Sequence, residues 1–112
     1  MKIYLAGHTG LVGSAILRKL KEKKYNKIIT ADRKKLNLLD QKKVYKFLKR
    51  NKPDIVIIAA AKVGGVLNNY TYRADFIYEN LQIQNNLIHG SFVNKVKKLI
   101  FLGSSCIYPK NS

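Results

Sequence analysis

Gly7, Gly10 and Gly13 follow directly on the apolar run Ile3-Tyr4-Leu5-Ala6 and lead into an apolar-periodic stretch from Leu11-Val12. That order spells strand, tight turn, helix. Glycines at this spacing let the backbone turn sharply, let main-chain N–H groups approach a pyrophosphate without an intervening Cβ, and let the helix lie close to the strand. The first helical turn then offers unpaired donors and a partial positive charge to an anion. The segment Gly7-His8-Thr9-Gly10-Leu11-Val12-Gly13 is therefore read as a phosphate-binding turn, the alternative being an ordinary structural turn.

The rest of the chain continues the alternation. Residues 2–6 are expected to form the first strand and 11–24 the first helix, with Leu11, Val12, Ala15, Ile16, Leu17 and Leu20 as its apolar stripe and Asn26 closing it. Residues 27–31 read as a short second strand ending at Asp32-Arg33. Leu36-Asn37-Leu38-Leu39-Asp40 reads as a short edge strand or turn, and Asp40 is placed to cap a helix over 41–51 that carries Val44, Tyr45, Phe47 and Leu48 and stops at Pro53. Residues 54–59 are apolar on both faces, as in a central parallel strand, and run into the small residues of 60–65. A long helix over 73–94 carries Phe76, Ile77, Leu81, Ile83, Leu87, Ile88 and Phe92, and 98–102 is the next strand. This order requires right-handed crossovers and a parallel sheet with helices on both faces. The expected fold class is α/β, a Rossmann-like doubly wound parallel sheet.

Composition narrows the partners. A chain of 112 residues at 46% hydrophobic content supports one domain with a modest core. Its one cysteine, Cys106, excludes an internal disulfide and suits a reducing compartment. No stretch approaches the roughly 20 apolar residues of a membrane helix, and the start is too short in apolar residues for a signal peptide. A soluble, cytoplasmic protein is expected. The net charge of +16 is mostly lysine, with arginine only at Arg18, Arg33, Arg50 and Arg73. It falls mainly on the polar faces and ends of the expected helices, so it reads as solvated surface with a general attraction for anionic ligands and not as a specific nucleic-acid interface.

Three loops follow strands and so converge on one rim of a parallel sheet: 7–13, 59–65 and 103–108. Asp32 stands 19 residues after Gly13, the place of an acid that holds a ribose 2′-hydroxyl, whereas Arg33 beside it suits a 2′-phosphate. The two signals conflict, and a third reading has Asp32 merely beginning a turn. Ser104 and Ser105 either hydrogen-bond a substrate carbonyl or satisfy their own turn. Cys106 is either a small buried residue or a proton donor and acceptor. His8 and His89 are isolated, so no metal site is expected, and His89 belongs on a helix surface or is satisfied locally. Tyr45 and Lys49 have the Tyr-x-x-x-Lys spacing that serves as the acid–base unit of reductases with this kind of glycine loop. They fall in the second helix, ahead of the substrate-side strands, and are read as a coincidence.

Five blocks together resemble the GDP-L-fucose synthase family of extended short-chain dehydrogenases/reductases: 7–16, 36–40, 59–65, 74–78, and Phe101-Leu102-Gly103-Ser104-Ser105-Cys106-Ile107-Tyr108-Pro109-Lys110. The last block is the most specific. The resemblance implies epimerisation of GDP-4-keto-6-deoxy-D-mannose at C3 and C5 and reduction at C4 with NADPH. It places Gly7, His8, Thr9, Gly10, Leu11, Val12 and Gly13 on the pyrophosphate, and Arg33 through Asn37 and Leu38 on the adenosine end. Ala59, Ala61 and Lys62 would lie beside the cofactor, and Leu102, Gly103, Ser104 and Ser105 along its nicotinamide side. Ser104 would hydrogen-bond the C4 oxygen, and Cys106 would be the acid–base group of epimerisation. The family often has arginine where Thr9 stands, so a preference for NADP rests mainly on Arg33. The family's Tyr-x-x-x-Lys unit, the histidine partner of the cysteine and the substrate domain lie downstream of these motifs. Residues 1–112 are accordingly expected to be the N-terminal part of a dinucleotide-binding domain, inactive alone, with an open strand edge that favours a homo-oligomer. The other reading is a nucleotide-binding or regulatory module without catalysis.

Overall fold

Strand β1 (Lys2–Ala6) sets Ile3, Tyr4, Leu5 and Ala6 in a row with no charged residue among them, and all four are buried. A strand that is apolar on both faces belongs inside a sheet covered on both sides. The computed structural model, which describes residues 1–23, 27–59 and 70–102, places it there. Helix α1 (Leu11–Glu22), β2 (Lys27–Ile29), α2 (Gln41–Asn51), β3 (Ile55–Ile58), α3 (Tyr70–Val93) and β4 (Lys98–Phe101) follow in turn. The sheet is parallel throughout in the order β2-β1-β3-β4, with Tyr4 paired to Ile29 on one side and Val56 on the other. This is the doubly wound α/β arrangement expected from the sequence.

Alternation along the strands divides the core in two. Ile3, Leu5 and Ile57 meet Ile16, Leu17 and Leu20 of α1. On the opposite face Tyr4, Ala6, Val56 and Ile58 meet Val44 and Leu48 of α2 and Ile83 and Leu87 of α3. The Tyr4 ring lies 4.8 Å from that of Phe47, and burial pushes the Tyr4 hydroxyl far above the usual phenol range. From β1 the chain moves one way to β2 and then back across to β3, so the order reverses between β1 and β3. That reversal is where open α/β sheets form their ligand crevice.

The helices are delimited by specific side chains. Asp40 caps α2 by accepting a hydrogen bond from Lys43 N at 3.1 Å, and Lys52 ends it in the left-handed region ahead of Pro53. The cations of α1 and α2 are all exposed. Among the described residues no helix is long and apolar enough to cross a membrane, and no three His, Cys, Asp or Glu side chains cluster as a metal site would need.

Several elements depart from the sequence reading. Leu11, Val12 and Ala15 of the expected α1 stripe are exposed, because the helix meets the sheet through Gly13 and the residues beyond it. Strand β2 stops at Ile29, where its pairing with β1 runs out at Tyr4. Residues 36–40 form a turn and not a strand: Asp40 N donates to Asn37 O and Leu39 N to Asn37 Oδ1. In α3 the buried positions include Asn80, Ile83, Asn86, Leu87, Gly90 and Ser91, whereas Ile77, Leu81, Ile88 and Phe92 are exposed. Close approach to α2 explains that choice: a Cβ on Gly90 would lie 3.0 Å from Leu48 Cδ1 and 3.1 Å from the Tyr45 ring, so a small residue is required there. The expected end of the first helix at Asn26 lies outside the described residues.

One aspartate, through its side chain and its main chain, ties the amino-terminal ends of three strands. Asp54 Oδ2 accepts from Lys2 N at 2.9 Å, Asp54 N donates to Lys2 O at 2.8 Å, and Asp54 O accepts from Lys97 N and Lys98 N at 3.1 Å each. The Lys2 N–H bond, helped by the Lys97 ammonium, holds the Asp54 carboxyl below its usual range. A carboxylate stabilised in the folded state adds stability above its unfolded pKa of about 3.9, and that stability disappears as pH falls through the lower folded value. Between about pH 5 and pH 3 the melting temperature of the parent should therefore fall more steeply than that of Asp54→Asn. Parallel melting curves across that range would remove Asp54 from the acid response.

Candidate cofactor site at the carboxyl ends of the strands

After Ala6 the chain enters Gly7 at φ 89°, a conformation that favours glycine. Gly10 N donates to Gly7 O at 3.2 Å, and Gly10 then serves as N-cap of α1, with Ser14 N making the first helical bond to Gly10 O at 2.8 Å. The N–H groups of Leu11, Val12 and Gly13 precede that bond and have no helical acceptor. Gly10 has no side chain to cap them, and no acid lies in the first turn. Among the described residues no side chain caps this helix start, an arrangement suited to an anion. Gly13 fixes its position, since a Cβ there would stand 1.7 Å from Gly7 O.

A cavity of about 540 Å³ opens over this turn at the β1/β3 reversal. Gly7, His8, Thr9 and Gly10 form one wall and Ala59, just after β3, lies beside them. The lining continues with Ala31, Asp32 and Arg33, which follow β2, and with the turn residues Leu36, Asn37, Leu38 and Leu39. Ala59 N donates to Ala6 O at 2.9 Å, which keeps the two strand ends in register at the cavity.

That second part of the lining is built from short polar contacts. Asp32 Oδ1 accepts from Lys35 N at 2.9 Å, and Asp32 O accepts from Lys35 N at 3.1 Å and Leu36 N at 2.9 Å. Leu36 is buried in the core below. Asn86 Nδ2, from α3, donates to Leu38 O at 2.9 Å and holds the next turn in place.

Of the residues singled out from the sequence, Gly7, His8, Thr9, Gly10, Arg33, Asn37, Leu38 and Ala59 line this one cavity. Gly13 lies behind the glycine turn. Leu11 and Val12 project to solvent, and Leu102 extends the β4 ladder by donating to Ile58 O without lining the cavity. Ala61, Lys62, Gly103, Ser104, Ser105 and Cys106 lie outside the described residues. Sequence reasoning missed Glu79 and Ile83, which close the cavity from α3, and the supporting Asn86. An asparagine within the mixed inner face of that helix was the available signal. A second, open cleft of about 610 Å³ lies between α2 and α3, where the Tyr45 hydroxyl and His89 Nδ1 hydrogen-bond. It lies away from the carboxyl ends of the strands, at the start of α2 where Asp40 already caps the helix, and the bond accounts locally for His89.

A glycine turn, an open helix start, a crevice at the reversal and a cation on its lining are the features of a Rossmann-like dinucleotide-binding fold. The chain belongs to the NAD dependent epimerase/dehydratase family, whose model matches residues 3–112. It is 58% identical over 109 residues to a GDP-L-fucose synthase of Sinorhizobium fredii, covering 97% of this chain and 34% of that protein. Among solved structures it is similar to MlghC, a GDP-mannoheptose C4 reductase of Campylobacter jejuni with NADP bound, at TM-score 0.88 and 47% identity over 99% of this chain and 33% of that one. A GDP-L-fucose synthetase of Naegleria fowleri bound to NADP matches at TM-score 0.81 and 29% identity over 96% of this chain and 33% of that one. The chain spans about a third of the length of the curated relatives it matches.

Two glycine substitutions separate close packing from turn geometry. Gly13→Ala should cost about 3 kcal/mol and lower the melting temperature by about 15 °C, because backbone must move to admit the methyl group. Gly10→Ala, whose Cβ would meet Gly7 O at an ordinary 3.7 Å, should change stability far less. Equal melting temperatures for the two variants would contradict the close approach at Gly13.

Proposed function

We propose that this chain forms the NADPH-binding portion of a GDP-L-fucose synthase. The activity is epimerisation of GDP-4-keto-6-deoxy-D-mannose at C3 and C5 followed by reduction at C4. The observation that carries the reading is the open amino terminus of α1, whose N-cap Gly10 lines a cavity that Arg33 also lines. The pyrophosphate is held by the N–H groups of the 7–13 turn, Arg33 pairs with the 2′-phosphate, and Asn37, Leu38 and Ala59 flank the adenosine. Ala61, Lys62, Leu102, Gly103 and Ser105 complete the cofactor contacts. When bound, NADPH supplies the hydride for C4. Ser104 orients the C4 oxygen by hydrogen bonding, and Cys106 moves the protons at C3 and C5. The identity to the Sinorhizobium enzyme and the NADP named with both structural relatives support this assignment. We place the protein in the cytoplasm, where its nucleotide-sugar substrate and NADPH are made and used.

The test uses the intact protein that carries these residues. Converting the keto-sugar in D₂O should introduce deuterium at C3 and C5 and consume NADPH. In Cys106→Ser the deuterium exchange should fall by about 100-fold or more with NADPH affinity unchanged. Undiminished exchange in that variant would take Cys106 out of the epimerisation, and failure of NADPH to bind the parent would overturn the cofactor assignment.

The protein is also read as a homo-oligomer. Ala74, Tyr78, Leu81, Asn85, Ile88 and Phe92 are exposed along α3 at alternating spacings of four and three, the pattern of a helix-pairing seam. A two-fold axis sets such a stripe against its own copy. Replacing both Leu81 and Ile88 by Glu should convert a dimeric sedimentation species to monomer; an unchanged sedimentation coefficient would exclude this face.

A further inference from the structure

Asp32 occupies the position at which an acidic residue holds a free ribose 2′-hydroxyl, yet it stands beside Arg33, Lys34 and Lys35. The structure gives this carboxylate a different task. Its Oδ1 accepts from Lys35 N at 2.9 Å, while its main-chain oxygen accepts from Lys35 N and Leu36 N. Both acceptors therefore close the same turn, which is pinned at its far end by the buried Leu36 and leaves Arg33, Lys34 and Lys35 exposed. Arg33 and Asp32 both line the cavity that the glycine turn also lines.

We propose that Asp32 is a positioning residue for cofactor discrimination. Its carboxylate fastens the 32–36 turn so that Arg33 faces the 2′-phosphate end of the cavity, and it does not serve as the ligand of a ribose 2′-hydroxyl. The inference rests on the NADPH reading above and gives it a second determinant, since Thr9 brings no charge to the cavity lining. It makes the two adjacent and opposed charges cooperate: the acid acts on the backbone, and the base acts on the phosphate. Asparagine can accept the same backbone bond, so the positioning role separates cleanly from the charge.

Affinities of NADPH and NADH for the intact protein and its variants test this. Asp32→Asn should keep NADPH affinity or raise it by about threefold, since the turn survives and a negative charge leaves the phosphate's neighbourhood. Asp32→Ala should weaken NADPH by about tenfold and NADH by less than about twofold, with little change in melting temperature. Arg33→Ala should do the same, and the double variant should be no weaker than either single one, because both remove a single arrangement. Loss of NADH affinity in Asp32→Asn, an unchanged NADPH-to-NADH ratio in Asp32→Ala, or additive losses in the double variant would each overturn the proposal while leaving the cofactor assignment intact. If the unsubstituted protein binds neither nucleotide, the cofactor assignment fails and this inference goes with it.

Discussion

The contact between Gly13 and the carbonyl of Gly7 is the constraint on which the site depends. With a hypothetical Cβ only 1.7 Å from that oxygen, backbone meets backbone with no side chain between. Helix α1 is thereby pressed against the end of β1, and its first turn is aimed over the crevice where β1 and β3 diverge. An apolar side chain at position 13 would pack the helix more conventionally and lift its amino terminus away from the sheet. The exposure of Leu11 and Val12 accompanies the same geometry, since the helix meets the sheet through Gly13 and the residues beyond it.

The six acidic residues acquire meaning against a net charge of +16. Asp32 closes the turn after β2, Asp40 caps α2, and Asp54 joins the starts of three strands. Each accepts a main-chain N–H. Charge-assisted bonds of this kind are stronger than neutral ones and remain where water competes. The lysines of α1 and α2, by contrast, lie on solvated helix faces, and the pair Lys19–Glu22 is an exposed contact at 3.9 Å of the sort that adds little. These three aspartates shape the backbone, while the cations of α1 and α2 line the surface.

Strand and helix order were legible because apolar period and turn chemistry agree at nearly every boundary, as at Asp40 and Pro53. What escaped was the inward face of α3. A search for apolar positions selects Ile77, Leu81, Ile88 and Phe92, but the interior is met by Asn80, Asn86, Gly90 and Ser91 together with Ile83 and Leu87. Helix-to-helix proximity decides that face, and no local pattern encodes it. Asp32 was ambiguous for a related reason: its spacing from Gly13 marks a ribose ligand, while its bond to Lys35 N exists only in three dimensions. The glycine turn and Arg33 could be read directly, since their requirements are local.

The sheet has two unlike ends. Asp54 gathers β1, β3 and β4 at their amino-terminal ends, about four strand residues from where the ligand crevice opens. Anchorage and chemistry are therefore separated along the strand axis. Loops at the crevice end can be lengthened or exchanged while the opposite end keeps the strands in register, so the ligand end of this sheet can vary without loosening its frame.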